Sequence, residues 1–144
     1  MQIGVERSKA VDQRRVFVVD DDETTRAALQ FMLHDKIETH ELATPEEAFA
    51  RGVDGLKPHV ALLGASFLKL KGPTLIGEFA AHFPDVRILI ICDKHDWPTA
   101  VEGIKAGAQG ALLKPLTLEA VRKKVDTILR RCGAPPIVRL SVRK

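Results

Sequence analysis

Short apolar runs alternate with amphipathic segments along most of this chain. Val16–Val19, Val60–Leu63 and Ile88–Ile91 are continuous apolar runs bounded by polar residues. Such runs suit strands buried on both faces of a sheet. Ile37–Leu42 and Ala111–Leu113 read as a weaker and a shorter strand. Between these runs the apolar period changes. Thr25–His34 places Ala28, Leu29, Met32 and Leu33 on one helical stripe. Thr44-Pro45-Glu46-Glu47 predicts a helix start, with Thr as N-cap, Pro in the first turn and acids at the positive end of the dipole. That helix should stop near Gly52. Gly72-Pro73 opens a helix to about His82, and Pro84 closes the loop after it. Asp96 and Pro98 begin a helix to about Ala106, ended by Gly107. Thr117 caps a last helix to about Arg131, and Gly133 with Pro135-Pro136 ends it.

Five strands and five helices thus alternate strictly. That order predicts parallel strands joined by right-handed crossovers, with helices on both faces of the sheet. In such sheets a ligand site lies at the carboxyl ends of the strands. The loops after Val19, Leu63, Ile91 and Leu113 are therefore the place to look for chemistry.

The length of 144 residues fits one domain, and 45% apolar with 28% charged residues is an ordinary globular balance. We expect a flexible lead-in over residues 1–14, the domain over 15–132 and a basic tail over 133–144. Cys92 and Cys132 are the only cysteines, which excludes a zinc ribbon or a disulfide framework. No apolar run approaches the roughly 20 residues of a membrane span. The charged N-terminus lacks the apolar stretch of a signal peptide. The expected location is the cytoplasm.

The net charge of +3 is unevenly spread. Residues 121–144 carry eight Lys/Arg and one acid, Asp126, a local charge of +7 that leaves −4 for the first 120 residues. A solvated helix face followed by a loose terminus is the preferred reading, and nucleic-acid binding by this tail is not expected.

Asp20-Asp21-Asp22-Glu23 follows the first strand. Crowded carboxylates at a strand end suit a hard cation such as Mg²⁺. Asp22 or Glu23 can equally cap the helix that follows. After the fifth strand, Lys114 could reach across the sheet end toward the acids, in a loop shaped by Pro115.

Val18-Val19-Asp20-Asp21-Asp22, and Gly107-Ala108 followed by Leu113-Lys114-Pro115, resemble the receiver domain of bacterial response regulators. Asp96 to Ala108 resembles the fourth-helix segment of receivers attached to transcription factors. The resemblance spans roughly residues 15–131. It implies a CheY-like, flavodoxin-like α/β fold: a doubly wound five-stranded parallel sheet, order 2-1-3-4-5, flanked by five helices. It also implies roles. Two acids after the first strand help to bind Mg²⁺, and these fall on Asp20 and Asp21. A Lys that contacts the phosphate falls on Lys114. The aspartate that accepts the phosphoryl group falls on Gly64, since Pro58-His59-Val60-Ala61-Leu62-Leu63-Gly64 stands where the family has Pro-Asp-x-x-Leu-Leu-Asp. The switch hydroxyl falls on Cys92 and the switch aromatic on Ala111.

Three of these positions lack the family's chemistry. Glycine cannot form an acyl phosphate, and nearby Ser66 is not expected to replace it. We therefore expect a pseudo-receiver: a non-enzymatic module of two-component type, acting by protein contacts without aspartyl phosphorylation. No cofactor is expected, with Mg²⁺ bound weakly if at all by Asp20 and Asp21. Lys114, with Lys69 or Lys71 second, is expected to neutralise the acids instead. Expected partners are a histidine kinase, a regulator or an output domain. Homodimerisation would use the face made by the fourth helix, fifth strand and fifth helix. The alternatives are a residual Mg²⁺-binding phosphorelay receiver and a small-molecule sensor using the vacated pocket. Cys92 should behave as a small hydrophobe. Trp97 could anchor a partner or cover the emptied pocket. Arg139–Lys144 faintly resembles the lead-in to a helix-turn-helix output domain.

Overall fold

The computed structural model describes residues 11–131 and 137–138. The lead-in up to residue 10, Cys132, the Gly133–Pro136 stop and the Arg139–Lys144 segment lie outside the described residues.

The elements follow in the order β1 (Val11–Val19), α1 (Glu23–Leu33), β2 (Ile37–Leu42), α2 (Pro45–Val53), β3 (Val60–Gly64), α3 (Ala65–Lys71), α4 (Thr74–His82), β4 (Arg87–Cys92), a 3₁₀ turn (Lys94–Asp96), α5 (Trp97–Lys105), β5 (Gly110–Leu113), α6 (Leu118–Arg131) and β6 (Ile137–Val138). The parallel sheet runs β2-β1-β3-β4-β5, and the short β6 pairs antiparallel with β1. The expected order is therefore observed.

The apolar runs behave as two-faced strands. Phe17 and Val19 join one core cluster with Ala61, Leu63, Ile88 and Ile90. Val16 and Val18 join the other with Val60, Leu62, Leu89 and Ile91. The first cluster is completed by Phe79 and Phe83, which make edge contacts with Phe49 and Phe17 at centroid separations of 4.9 Å and 6.0 Å. The second is covered by Leu29 and Leu33 from α1 and by Val121, Val125 and Ile128 from α6.

The predicted caps are in place. Asp22, rather than Glu23, caps α1: its carboxylate accepts the Thr24 N–H at 3.2 Å and the Thr25 hydroxyl at 2.7 Å. Thr44 accepts the Glu47 N–H at 3.2 Å, while the Glu47 side chain accepts the Ala43 N–H at 3.2 Å. Thr117 accepts the Ala120 N–H at 3.2 Å. Gly107, at φ 129°, takes the backbone conformation that ends α5 and that a side chain would resist.

Three features differ from the sequence reading. Helices number six among the described residues, because α3 forms directly after β3 where a loop was expected. Ala65 to Lys71 contains neither Gly nor Pro, and Ala65, Phe67 and Leu68 bury against the sheet, so nothing opposes helix formation there. β1 begins at Val11, so it reaches into the stretch expected as lead-in. Arg14 is buried there, with Nη1 donating to the Leu129 carbonyl at 2.8 Å. Finally, Asp96 makes no side-chain cap for α5, whereas Asp93 caps the 3₁₀ turn by accepting the Asp96 N–H at 3.2 Å.

Candidate functional site

The parallel strands bring the loops after β1, β3, β4 and β5 to one edge of the sheet. Asp20 follows β1 and is 4% exposed. Its Oδ1 accepts the Asp22 N–H at 2.9 Å. Gly64 ends β3, and the pairing of Val19 with Leu63 sets it beside Asp20. A Cβ on Gly64 would lie 2.8 Å from Asp20 Oδ2 and 2.9 Å from its Cγ. The Asp20 carboxylate therefore fills the space that a side chain at residue 64 would need.

Asp21 is exposed, and its Oδ1 accepts the Ser66 hydroxyl at 3.0 Å. Arg26 lies one turn into α1. Its Nη1 donates to the Asp20 carbonyl at 2.7 Å, and its Nε stands 3.6 Å from Glu41. The sequence signal for Arg26 is only a cation shortly after an acidic run.

Lys114 is positioned by its own backbone: its N–H donates to the Cys92 carbonyl at 2.8 Å, continuing the β4–β5 pairing. The Lys114–Pro115 peptide is cis. Among the described residues Lys114 makes no ion pair within 4 Å, and it acts on Asp20 and Asp22 through space.

The electrostatics divide the acids. Burial pushes the Asp20 carboxyl above the ordinary aspartate range; the Asp22 N–H and Lys114 pull it back, and Asp21 adds to the rise. The Thr25 hydroxyl holds Asp22 below its ordinary value against desolvation, helped by the Thr24 N–H and Lys114. Lys69 and Lys71 do not serve this cluster, a correction to the sequence reading. Lys69 Nζ bonds Asp96 at 2.9 Å, and Lys71 pairs with Glu46. Each lies closer to a different acid once α3 has formed.

The switch positions are also placed. Cys92 is 2% exposed within the core, and burial first, then Asp96 and Asp93, push its thiol up, which suits an inert small hydrophobe. Ala111 packs partly buried against the core beside Cys92's strand. Trp97 is 46% exposed at the start of α5.

Mg²⁺ requires near-octahedral oxygen coordination. Among the described residues no group of three or more metal-ligating side chains forms. Asp20 and Asp21 are two carboxylates, and each already accepts a hydrogen bond from the protein, Asp20 from the Asp22 N–H and Asp21 from the Ser66 hydroxyl.

A sheet of this order with an acid pair and a lysine at its carboxyl edge defines a receiver-like signalling domain. The family model for the response regulator receiver domain matches residues 16–126. The chain belongs to that family. It is 29% identical over 126 residues to the transcriptional regulatory protein PrrA of Mycobacterium leprae (strain TN), covering 86% of this chain and 53% of PrrA. It is 28% identical over 117 residues to the response regulator MprA of Mycobacterium ulcerans (strain Agy99), covering 81% and 50%. The chain thus spans about half the length of these curated relatives. Among solved structures, full-length FixJ from B. japonicum superposes with a TM-score of 0.74 at 25% identity, covering 85% of this chain and 61% of FixJ. A response regulator from Thermotoga maritima superposes at 0.73 and 24% identity, covering 82% and 98%, and supports the fold.

Proposed function

We propose that this receiver is a non-catalytic signalling module that works through protein contacts without aspartyl phosphorylation. The observation that carries the reading is the Asp20–Gly64 contact. Residue 64 has no carboxylate to accept a phosphoryl group, and the neighbouring acid occupies the space where one would stand. The same contact disfavours a small-molecule site above Gly64. The glycine at residue 64 also removes one oxygen ligand from the set that the family resemblance implies for Mg²⁺, which argues against a residual phosphorelay role.

A switch needs a ligand with different affinity for two states. Cys92 is a weak donor and Ala111 has no ring to turn, so the family's phosphate response has no moving parts here. The domain then presents its partner face in one dominant conformation. That face carries Trp97, Val101 and Ile104 at helical spacing on α5, Leu113 on β5 and Leu118 on α6. Of these, Trp97, Ile104, Leu113 and Leu118 are 46%, 37%, 43% and 43% exposed. An exposed aromatic set among aliphatic residues is the chemistry of an interface anchor. A second copy, a kinase, a regulator or an output domain in the bacterial cytoplasm would dock here. The basic tail is not assigned to nucleic acid. Among the described residues no helix is long and apolar enough to cross a membrane.

Amide NMR spectra with and without beryllofluoride and Mg²⁺ test this reading. Spectra that stay superimposable over α5 and β5 are expected. Shifts spreading from the Gly64 loop into α5 and β5 would contradict it.

A further inference from the structure

Helix α3 reaches three other loops at the functional edge of the sheet. It starts at Gly64 without a spacer and is seated by Ala65, Phe67 and Leu68, all buried. Its polar side faces the loops. Ser66 donates to Asp21 after β1 at 3.0 Å. Lys71 pairs with Glu46 in the first turn of α2, after β2. Lys69 bonds Asp96 at 2.9 Å in the turn that leads from β4 into α5. A buried contact backs the last of these. A Cβ on Gly103 of α5 would collide with Ile90 Cδ1 and lie 3.2 Å from Leu68 Cδ1, so α5 sits close upon both β4 and α3. Helix α5 is therefore held by α3 twice, at Asp96 before its first turn and at Gly103 near its end.

We propose that α3 is a clasp, with Lys69 as the positioning residue that fixes the start of α5 and hence Trp97. It would do with internal contacts what a bound phosphoryl group would otherwise trigger. This rests on the phosphorylation-independent reading above and deepens it by naming what holds the partner face.

The pair lies near the surface, with the Lys69 side chain 58% and the Asp96 side chain 19% exposed, so salt screens it and its effect is local. α3 itself is anchored by burial, so forming the pair orders little beyond the lysine side chain.

The test is amide hydrogen exchange across the full chain, with the sole tryptophan, Trp97, as a second probe. Lys69→Met should speed exchange of the α5 amides about two- to fivefold, the range an exposed ion pair supports, and raise acrylamide quenching of Trp97. Lys69→Arg should restore both. Salt at 0.5 M, on the order of the concentration that shortens screening to a few ångströms, should reproduce the effect in the wild type and add little in Lys69→Met. Unchanged α5 exchange in Lys69→Met overturns the clasp. So does a uniform rise across every strand, which would mean global destabilisation. A phosphoryl adduct on the protein would refute the earlier reading while leaving these exchange results to stand.

Discussion

The Asp20 carboxylate lies against the Cα of Gly64, with Oδ2 only 2.8 Å from where a Cβ would be. Gly64 has φ −65° and ψ 136°, an extended conformation open to any residue. Glycine at this position therefore relieves crowding and not backbone strain.

Gly64→Ala should accordingly destabilise the protein by about 1 kcal/mol, crowding outweighing the smaller gain from a stiffer unfolded chain. In an Asp20→Ala background the same change should become neutral or stabilising by up to about 1 kcal/mol. Urea unfolding of the four proteins gives the coupling directly. Additive costs would show that the two residues do not compete for space.

The raised Asp20 carboxyl makes a signed prediction. Its folded value lies above its unfolded value, because burial disfavours the charge. The native state therefore binds more protons through that window, and the group's contribution weakens as pH rises through the folded value. Asp20→Asn keeps the oxygen that accepts the Asp22 N–H and removes the charge. It should be more stable than wild type at neutral pH, and the advantage should vanish below the ordinary aspartate range. A constant difference from acid to neutral pH would contradict this sign.

Lys114 supplies a field and not a contact. Lys114→Met keeps most of the stem and removes the charge. It should cost about 0.5 kcal/mol at neutral pH, within the range of weak surface charge interactions. The cost should fade as Asp20 and Asp22 protonate, since both are lowered by this lysine. Equal stability of the two proteins at every pH would make Lys114 a bystander.

Much of this architecture is legible in the chain. Val60–Leu63 and Ile88–Ile91 are apolar without interruption because both faces of their strands are covered, and Thr44, Asp22 and Thr117 mark their helices by local chemistry alone. The loss of acceptor chemistry at Gly64 is equally plain from the residue type. What moves into the space is not, because Asp20 reaches it only through the β1–β3 pairing. The partners of Lys69 and Lys71 are hidden in the sequence for a related reason. A loop after Gly64 would leave both lysines free to approach Asp20 and Asp21, whereas a helix aims them at Asp96 and Glu46. Arg14 reads as part of a polar lead-in, and its burial depends on the Leu129 carbonyl 115 residues away.

The most direct test of the central claim is the intact mass of the protein after incubation with acetyl phosphate and Mg²⁺. We predict no added phosphoryl group, because residue 64 offers no carboxylate and Asp20 is buried over it. A stable phosphoryl adduct mapped to any aspartate would contradict the account.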